Sequence, residues 1–330
     1  MVQARRREIL IASGALLAAP LASYSQAPQA VRRIGLLAPF PDADPRRKRV
    51  QEALRRELAQ LGYEEGKNLV IEWRFALKGD KLLRLAEELV RLRVELIVAL
   101  ANEAVKQASR ATRTIPIVMW HATHPVENGW IKSLARPGGN ITGAMWGDPE
   151  HNTKIFELIR EAAPRAKRIA VTFNPTYPFA QSWLDGYDRA ASVLGMTLQY
   201  FPIARAEDID PALGRVAAVR PDVLYVSAEA VQNAHARKIA AFAIERKLMM
   251  VSNVGDLVVE GGFLCLQPDG AAIIARVASY VDRILRGAKP ADLPVELPAK
   301  YVLLINAKTA RAIGYKIPPS LLARANRVIE

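Results

Sequence analysis

The chain has 330 residues, of which 51% are hydrophobic and 24% are charged, and its formal net charge is +13 at pH 7. This composition excludes a disordered protein, and the length allows two hydrophobic cores of roughly 100 to 150 residues each. The single cysteine, Cys265, excludes an intramolecular disulfide, and its apolar neighbours predict a buried thiol. Basic residues alternate with glutamate along predicted helices, which is typical of solvated helix faces, so we expect no nucleic-acid partner.

Residues 1–27 have the pattern of an export signal. Arg5, Arg6 and Arg7 precede an apolar run at 9–21, and small residues follow at Ser25 and Ala27. A bilayer span needs about 20 apolar residues, so this run is too short for a permanent anchor. We predict cleavage near Ala27 and a periplasmic location. The paired arginines resemble a twin-arginine signal, although Arg5 stands where such signals carry Ser or Thr, and the export route stays open.

From residue 33 onward, strand and helix patterns alternate along the chain. Continuous apolar runs at 33–38, 69–73, 94–100, 115–119 and 141–145 predict strands, with helical spacing of apolar residues between them. Apolar runs without alternation are typical of strands buried on both faces. They predict a parallel sheet covered by helices.

The second half of the chain repeats the patterns of the first. The run at 168–175 is similar to 33–40, and Glu-Ala-Val follows a predicted strand at both 103–105 and 229–231. Such echoes, in the same order, indicate two similar α/β units with a boundary near residue 147. Ligands collect at the carboxyl ends of strands in open α/β sheets, so two facing units predict a cleft.

The loops at the predicted cleft carry aromatic and short polar side chains together, which suits a small organic ligand. Aromatic residues supply apolar walls, and the polar residues orient the ligand. The candidate ligand-binding residues are Phe40, Asn102, Glu103, His121, His124, Trp146, Asn174, Tyr177, Glu229, Asp256 and Gln267.

Each candidate also has a structural interpretation. Glu103 and Glu229 fall at predicted helix starts, where a carboxylate complements the helix dipole, and Asn102 is a possible N-cap. Trp120, Trp146 and Tyr177 are placed in loops, where an aromatic ring either packs or stacks on ligand. No cysteine or acidic cluster accompanies His121 and His124, so we predict no metal and no cofactor. No nucleophile elbow or pair of catalytic carboxylates is present, which argues against an enzyme.

Several motifs resemble one known group. They are the leader, Ile34-Gly35-Leu36-Leu37, the segment 61–69, Thr114-Ile115-Pro116-Ile117-Val118, Arg136-Pro137-Gly138-Gly139-Asn140-Ile141-Thr142-Gly143, and the tail from 305 through 317–325. Over essentially the whole mature chain, the sequence resembles the ABC-transporter substrate-binding protein family that includes tryptophan- and tyrosine-binding members, with the type I periplasmic-binding fold. The resemblance implies two Rossmann-like α/β lobes with parallel sheets, joined by three hinge crossovers. We expect one lobe at 32–146 plus about 268–292, and the other at 147–267 plus about 293–330.

The resemblance also implies a function without chemistry. The expected protein is an exported, monomeric binding protein that captures an amino acid, aromatic or carboxylate ligand by hinge closure and delivers it to an ABC-type membrane permease. The family often has Gly-Asp-Pro-Val where this chain has Thr123-His124-Pro125-Val126, a change that points toward a carboxylate ligand. The alternatives are a ligand-sensing regulator or chemotaxis receptor and, as a weaker option, a periplasmic enzyme.

Overall fold

The computed structural model describes residues 31–41, 44, 46–76, 79–147, 149–177, 180–227 and 230–330. The predicted export signal lies outside the described residues. The strands are β1 (Arg32–Ala38), β2 (Leu69–Phe75), β3 (Ile97–Leu100), β4 (Ile117–Ala122), β5 (Ile141–Met145), β6 (Arg168–Phe173), β7 (Thr197–Pro202), β8 (Val223–Val226), β9 (Met249–Ser252), β10 (Leu264–Pro268), β11 (Tyr301–Asn306) and β12 (Arg327–Ile329). The helices are α1 (Arg46–Gln60), α2 (Asp80–Arg91), α3 (Ala101–Ala111), α4 (Pro149–Ala162), α5 (Ala180–Val193), α6 (Ile209–Val219), α7 (Ala230–Ala234), α8 (Ala236–Glu245), α9 (Gly255–Val259), α10 (Gly270–Leu285), α11 (Ala307–Ala312) and α12 (Pro319–Arg324).

The strands form two separate sheets, one in each lobe. The first has the order β2-β1-β3-β4-β5 and is parallel throughout. The second has the order β12-β11-β10-β9-β8-β6-β7, in which β10 and β11 pair antiparallel and the other pairs are parallel. In both sheets the first strand lies next to one edge, the second strand forms that edge, and the later strands follow in the opposite direction, which is a doubly wound α/β arrangement.

Helices cover both faces of each sheet because the strand side chains are apolar on both faces. In the first lobe, Leu54 and Val277 belong to the core on one face, and Ala86 and Val105 belong to the core on the other. In the second lobe, Phe156 and Tyr187 lie in one core, and α6 and α8 supply the other. The two lobes therefore bury their apolar residues independently of each other.

The chain passes between the lobes three times. It crosses after β5, again between β10 and α10, and finally along residues 293–300, which lead into β11. The helix α10 follows a strand of the second sheet, yet it packs against α1, β4 and β5 of the first lobe. These crossovers give the two-lobed, hinged architecture of the type I periplasmic-binding fold.

The segment 136–143 anchors the third crossover to the first lobe. The Thr142 hydroxyl donates to the carbonyl of Leu293 at 2.7 Å. The Glu296 amide donates to the carbonyl of Gly143 at 3.0 Å. The most specific family motif in the sequence therefore has a structural role at the hinge.

The strand β4 ends three residues beyond the predicted strand at 115–119. The sequence predicts a loop at Trp120 and His121, but in the structure Trp120 pairs with Ala144 and Ala122 pairs with Met145 across the β4–β5 ladder. His121 is the extra residue of a bulge between these pairs, with a φ of 60°. A bulge lets the strand continue while turning one side chain in a new direction, and periodicity does not reveal it. Trp120 is consequently a core residue with 4% of its surface exposed.

Candidate functional site

A cavity of about 530 Å³ lies between the lobes at the carboxyl ends of the strands. Its walls come from the loop after β4, from the first and third crossovers, and from α4, α5 and the loop after β9 of the second lobe. The lining residues are Thr123, His124, Pro125, Val126, Glu127, Leu134, Met145, Trp146, Gly147, His151, Thr153, Trp183, Gly186, Tyr187, Arg189, Ala190, Val193, Asn253 and Leu297.

The backbone is strained at the first-lobe edge of this cleft. Ala101, His121 and His124 have φ angles of 65°, 60° and 52°, in the left-handed region that disfavours residues with a Cβ. All three lie at or just beyond the ends of β3 and β4. Such conformations cost about 1 kcal/mol or more each and concentrate at ligand-binding and active sites.

Asn102 forms a hydrogen-bonded bridge between the lobes. Its Oδ1 accepts from the Thr123 amide at 2.7 Å, and its Nδ2 donates to the Thr123 hydroxyl at 2.9 Å. The same Nδ2 lies 3.0 Å from the hydroxyl of Tyr177 in the second lobe. Asn102 therefore organises the loop after β4 and contacts the opposite lobe, which is more than the helix cap that its position suggested.

We expect the variant Asn102→Leu to weaken ligand affinity about tenfold. Leucine keeps the volume but leaves the Thr123 amide and the Tyr177 hydroxyl without this partner, and each such loss costs about 1 kcal/mol or more. Isothermal titration calorimetry measures the effect, with Gln107→Leu as the control, because Gln107 bonds only within the first lobe in the described structure. Equal affinities for both variants and the parent protein would contradict this role.

His124 and Trp183 form a second contact across the cleft. The Trp183 indole Nε1 donates to His124 Nδ1 at 3.2 Å, and the two ring centroids are 6.1 Å apart. The Tyr177 ring lies 5.0 Å from Trp183 on the second-lobe side. Burial lowers the pKa of His124, an effect that the negative charge of Glu127 opposes. His124 is therefore neutral at pH 7 and acts here as a hydrogen-bond acceptor.

His121 and Trp146 pack together beside the cavity. Their ring centroids are 4.1 Å apart, and Trp146 lines the cavity while His121 lies behind it. Burial lowers the pKa of His121 to about 3, so this ring is neutral at physiological pH. Its Nε2 atom is buried and has no hydrogen-bond partner among the described residues.

Other candidate residues lie outside this cavity. Phe40 is buried in the first-lobe core, where its ring stacks on Phe75 at 6.4 Å. Glu103 accepts from Gln107 at 2.8 Å on its own helix, as expected of a carboxylate in a first helical turn.

The second-lobe candidates Asn174, Gln267 and Asp256 are likewise absent from the cavity lining. Asn174 accepts from the amide and hydroxyl of Thr176 and so shapes its own turn. Gln267 accepts from the Gly255 amide at 2.7 Å, at the start of α9. Asp256 lies 3.6 Å from Arg49 on α1 of the first lobe, an exposed ion pair across the interlobe gap. The candidate Glu229 lies outside the described residues.

Sequence reasoning missed several lining residues, of which Trp183, Tyr187 and His151 are the most prominent. Trp183 and Tyr187 are four residues apart on α5, a spacing that predicts core packing. His151 stacks on Tyr301 with centroids 4.8 Å apart, and it lies on a helix rather than in a strand-end loop. One feature of the sequence could have identified Trp183 as a candidate. It lies in the first turns of the helix that follows the loop of Tyr177.

The single cysteine, Cys265, lies in β10 and is not among the residues that line the cavity. Burial raises the pKa of the Cys265 thiol well above its usual range, which disfavours a nucleophilic thiolate. Within the described ranges, no group of three or more His, Cys, Asp or Glu side chains is placed to hold a metal ion. None of the helices in the described part of the chain combines the length and the apolarity that a bilayer span requires.

Two α/β lobes with a cleft at their strand ends define a type I periplasmic binding protein. The model of the family "ABC transporter substrate binding protein" matches residues 41–329, and the chain belongs to this family. A tyrosine-binding protein of Clostridioides difficile is 26% identical over 281 residues, which cover 85% of this chain and 79% of that protein.

Solved structures show the same fold. A conserved domain protein from Vibrio cholerae superposes with a TM-score of 0.82 at 27% identity, covering 90% of this chain and 99% of the other. An ABC domain from Streptococcus pneumoniae, crystallised with L-Trp, gives a TM-score of 0.81 at 23% identity, covering 91% of this chain and 100% of the other. The predicted family and fold class are thereby confirmed.

Proposed function

We propose that this protein is an exported, monomeric receptor that captures an aromatic amino acid between its lobes and delivers it to an ABC-type permease. The observation that carries the proposal is the cavity of about 530 Å³ between the lobes, with Trp146 on one side and Trp183 on the other. Aromatic walls with few polar groups suit a flat, partly apolar ligand. The residue pattern at 1–27 supports export.

The charges at the cavity mouth favour a zwitterion. Glu127 comes from the first lobe and Arg189 from the second, and both are exposed at the rim. An amino acid with its ring in the cavity has an ammonium group for Glu127 and a carboxylate for Arg189. Similarity to a tyrosine-binding protein at 26% identity supports the same ligand class. The carboxylate preference suggested by His124 stays a prediction that the same experiment decides.

A thermal-shift screen followed by calorimetry tests the proposal. The panel contains L-tyrosine, L-tryptophan, L-phenylalanine, 4-hydroxybenzoate, phenylacetate, L-leucine and succinate. A ligand at 100 times its Kd stabilises the folded state by about 2.7 kcal/mol. We expect the aromatic amino acids to raise Tm. If only the carboxylates without an amino group raise Tm, the ligand belongs to the carboxylate class that His124 suggested. If no aromatic compound raises Tm, the proposal is wrong.

A further inference from the structure

In one of the two side-chain hydrogen bonds described above between the lobes, the acceptor is a histidine ring nitrogen. The amide of Asn102 does not titrate, whereas a histidine ring gains a proton on acidification. We propose that the His124–Trp183 hydrogen bond is a latch that holds the lobes together and releases them when His124 is protonated. This inference rests on the proposed function in one respect, namely that lobe closure is the step that captures ligand.

The direction of the effect follows from the hydrogen-bonding capacity of the two rings. The indole nitrogen can only donate, so the His124 Nδ1 that it contacts at 3.2 Å must carry a lone pair. An imidazolium ring has a proton on both nitrogens and no lone pair. Protonation of His124 therefore replaces an attractive contact with two N–H groups facing each other.

Trp183 is positioned for this role by its own lobe. Its ring packs against Tyr177 with centroids 5.0 Å apart, and both residues belong to the second lobe. The indole N–H is therefore aimed at the first lobe by contacts that do not depend on His124. His124, at a φ of 52°, projects from the strained loop after β4.

The surroundings of His124 set the pH range of the latch. Burial lowers its pKa below the ordinary value of 6.5, and Glu127 on the same loop partly opposes this. The other titratable side chains that line the cavity are His151 from α4 and Tyr187 and Arg189 from α5. His121, on β4, has a pKa of about 3 because of burial and stays neutral throughout.

The sign of the linkage is fixed by the direction of the pKa shift. Burial lowers the pKa of His124 in the arrangement that the structure describes, and exposure to water on lobe separation would return it toward the ordinary value. The contribution of the latch to closure is therefore complete above about pH 6.5, and it is lost as the pH falls through the lowered value. Acidification is expected to open the lobes.

The indole N–H signals in a ¹H–¹⁵N spectrum of the ligand-free protein test the latch. The sequence has five tryptophans, and Trp183→Phe assigns the signal by deleting it. Between pH 8 and 4.5, the Trp183 signal is expected to shift with the same midpoint as the His124 ring, below pH 6.5. Glu127→Gln removes a nearby negative charge and moves the midpoint lower, while His151→Asn leaves it in place. A Trp183 signal that does not titrate, or one that follows His151 instead, would overturn the proposal.

Lobe separation gives an independent readout without ligand. A dye pair on Glu87→Cys and Ala218→Cys, both exposed and in different lobes, reports the distance, and the native Cys265 is buried and does not label. Trp183→Phe is expected to raise the open-to-closed ratio at pH 7.5 about fivefold, the change expected for one hydrogen bond. Acidification should do the same in the parent protein and much less in Trp183→Phe.

If acidification opens the parent protein and Trp183→Phe equally, the proposed latch is wrong. Because no ligand is added, this result is distinct from failure of the proposed function, which the ligand screen alone decides.

Discussion

The variant Gly143→Ala is expected to destabilise the protein by about 3 kcal/mol or more, which lowers Tm by roughly 6 °C or prevents folding. Gly143 lies in β5 at a φ of +134°, a conformation that residues with a Cβ rarely adopt. A Cβ there would lie 2.3 Å from the carbonyl oxygen and 2.4 Å from the amide nitrogen of Met119 on the neighbouring strand. Since both atoms are backbone, relief requires the β4–β5 pairing to move.

The matched control for this prediction is Gly139→Ala in the same segment. A Cβ at Gly139 meets nothing within 4 Å, and its φ is not in the left-handed range. Circular dichroism melts of both variants measure the difference. A Gly143→Ala protein that melts within a degree or two of Gly139→Ala would show that the close strand contact is not as the structure describes.

Trp146→Ala is expected to weaken binding of the best compound from the ligand screen about 30-fold. The Trp146 ring lines the cavity and packs on His121 at 4.1 Å, so its removal deletes one aromatic wall and exposes the His121 ring to water. Buried aromatic side chains at the centre of a binding site commonly contribute about 2 kcal/mol, which corresponds to this loss. Trp146→Phe keeps a ring and should recover much of the affinity.

Trp73→Ala is the control for Trp146→Ala. Trp73 is also partly buried in the first lobe and stacks on Phe75 at 6.4 Å, but it lies outside the cavity. Both variants lose similar apolar area, so a general loss of stability would affect them alike. Calorimetry that finds equally weakened binding in both would refute a direct contact between Trp146 and ligand.

Much of the fold was predictable because parallel strands buried on both faces leave a clear pattern. The continuous apolar runs gave the order of strands and helices, and the repeated patterns at 33–40 and 168–175 indicated two lobes. The resemblance through 136–143 supplied the fold type, and Gly143 shows the physical basis of that motif, since no other residue fits against Met119.

The site was less predictable because a cavity depends on how elements pack. Asn102, His124, Trp146 and Tyr177 follow strands, so the rule about strand ends predicted that they lie at the interlobe gap. Trp183 and His151 lie on helices that pack on the second-lobe core, and only the way these helices face the first lobe brings the two residues to the cavity. The bulge that redirects His121 depends on ladder register, which a single sequence does not reveal.

Crystallisation with the compound that gives the largest thermal shift tests the central claim most directly. The account predicts density for the compound between the lobes, in contact with Trp146 on one side and Trp183 on the other. Density at an outer surface of either lobe, or a bound compound with the cavity between Trp146 and Trp183 filled only by water, would contradict capture in the interlobe cleft.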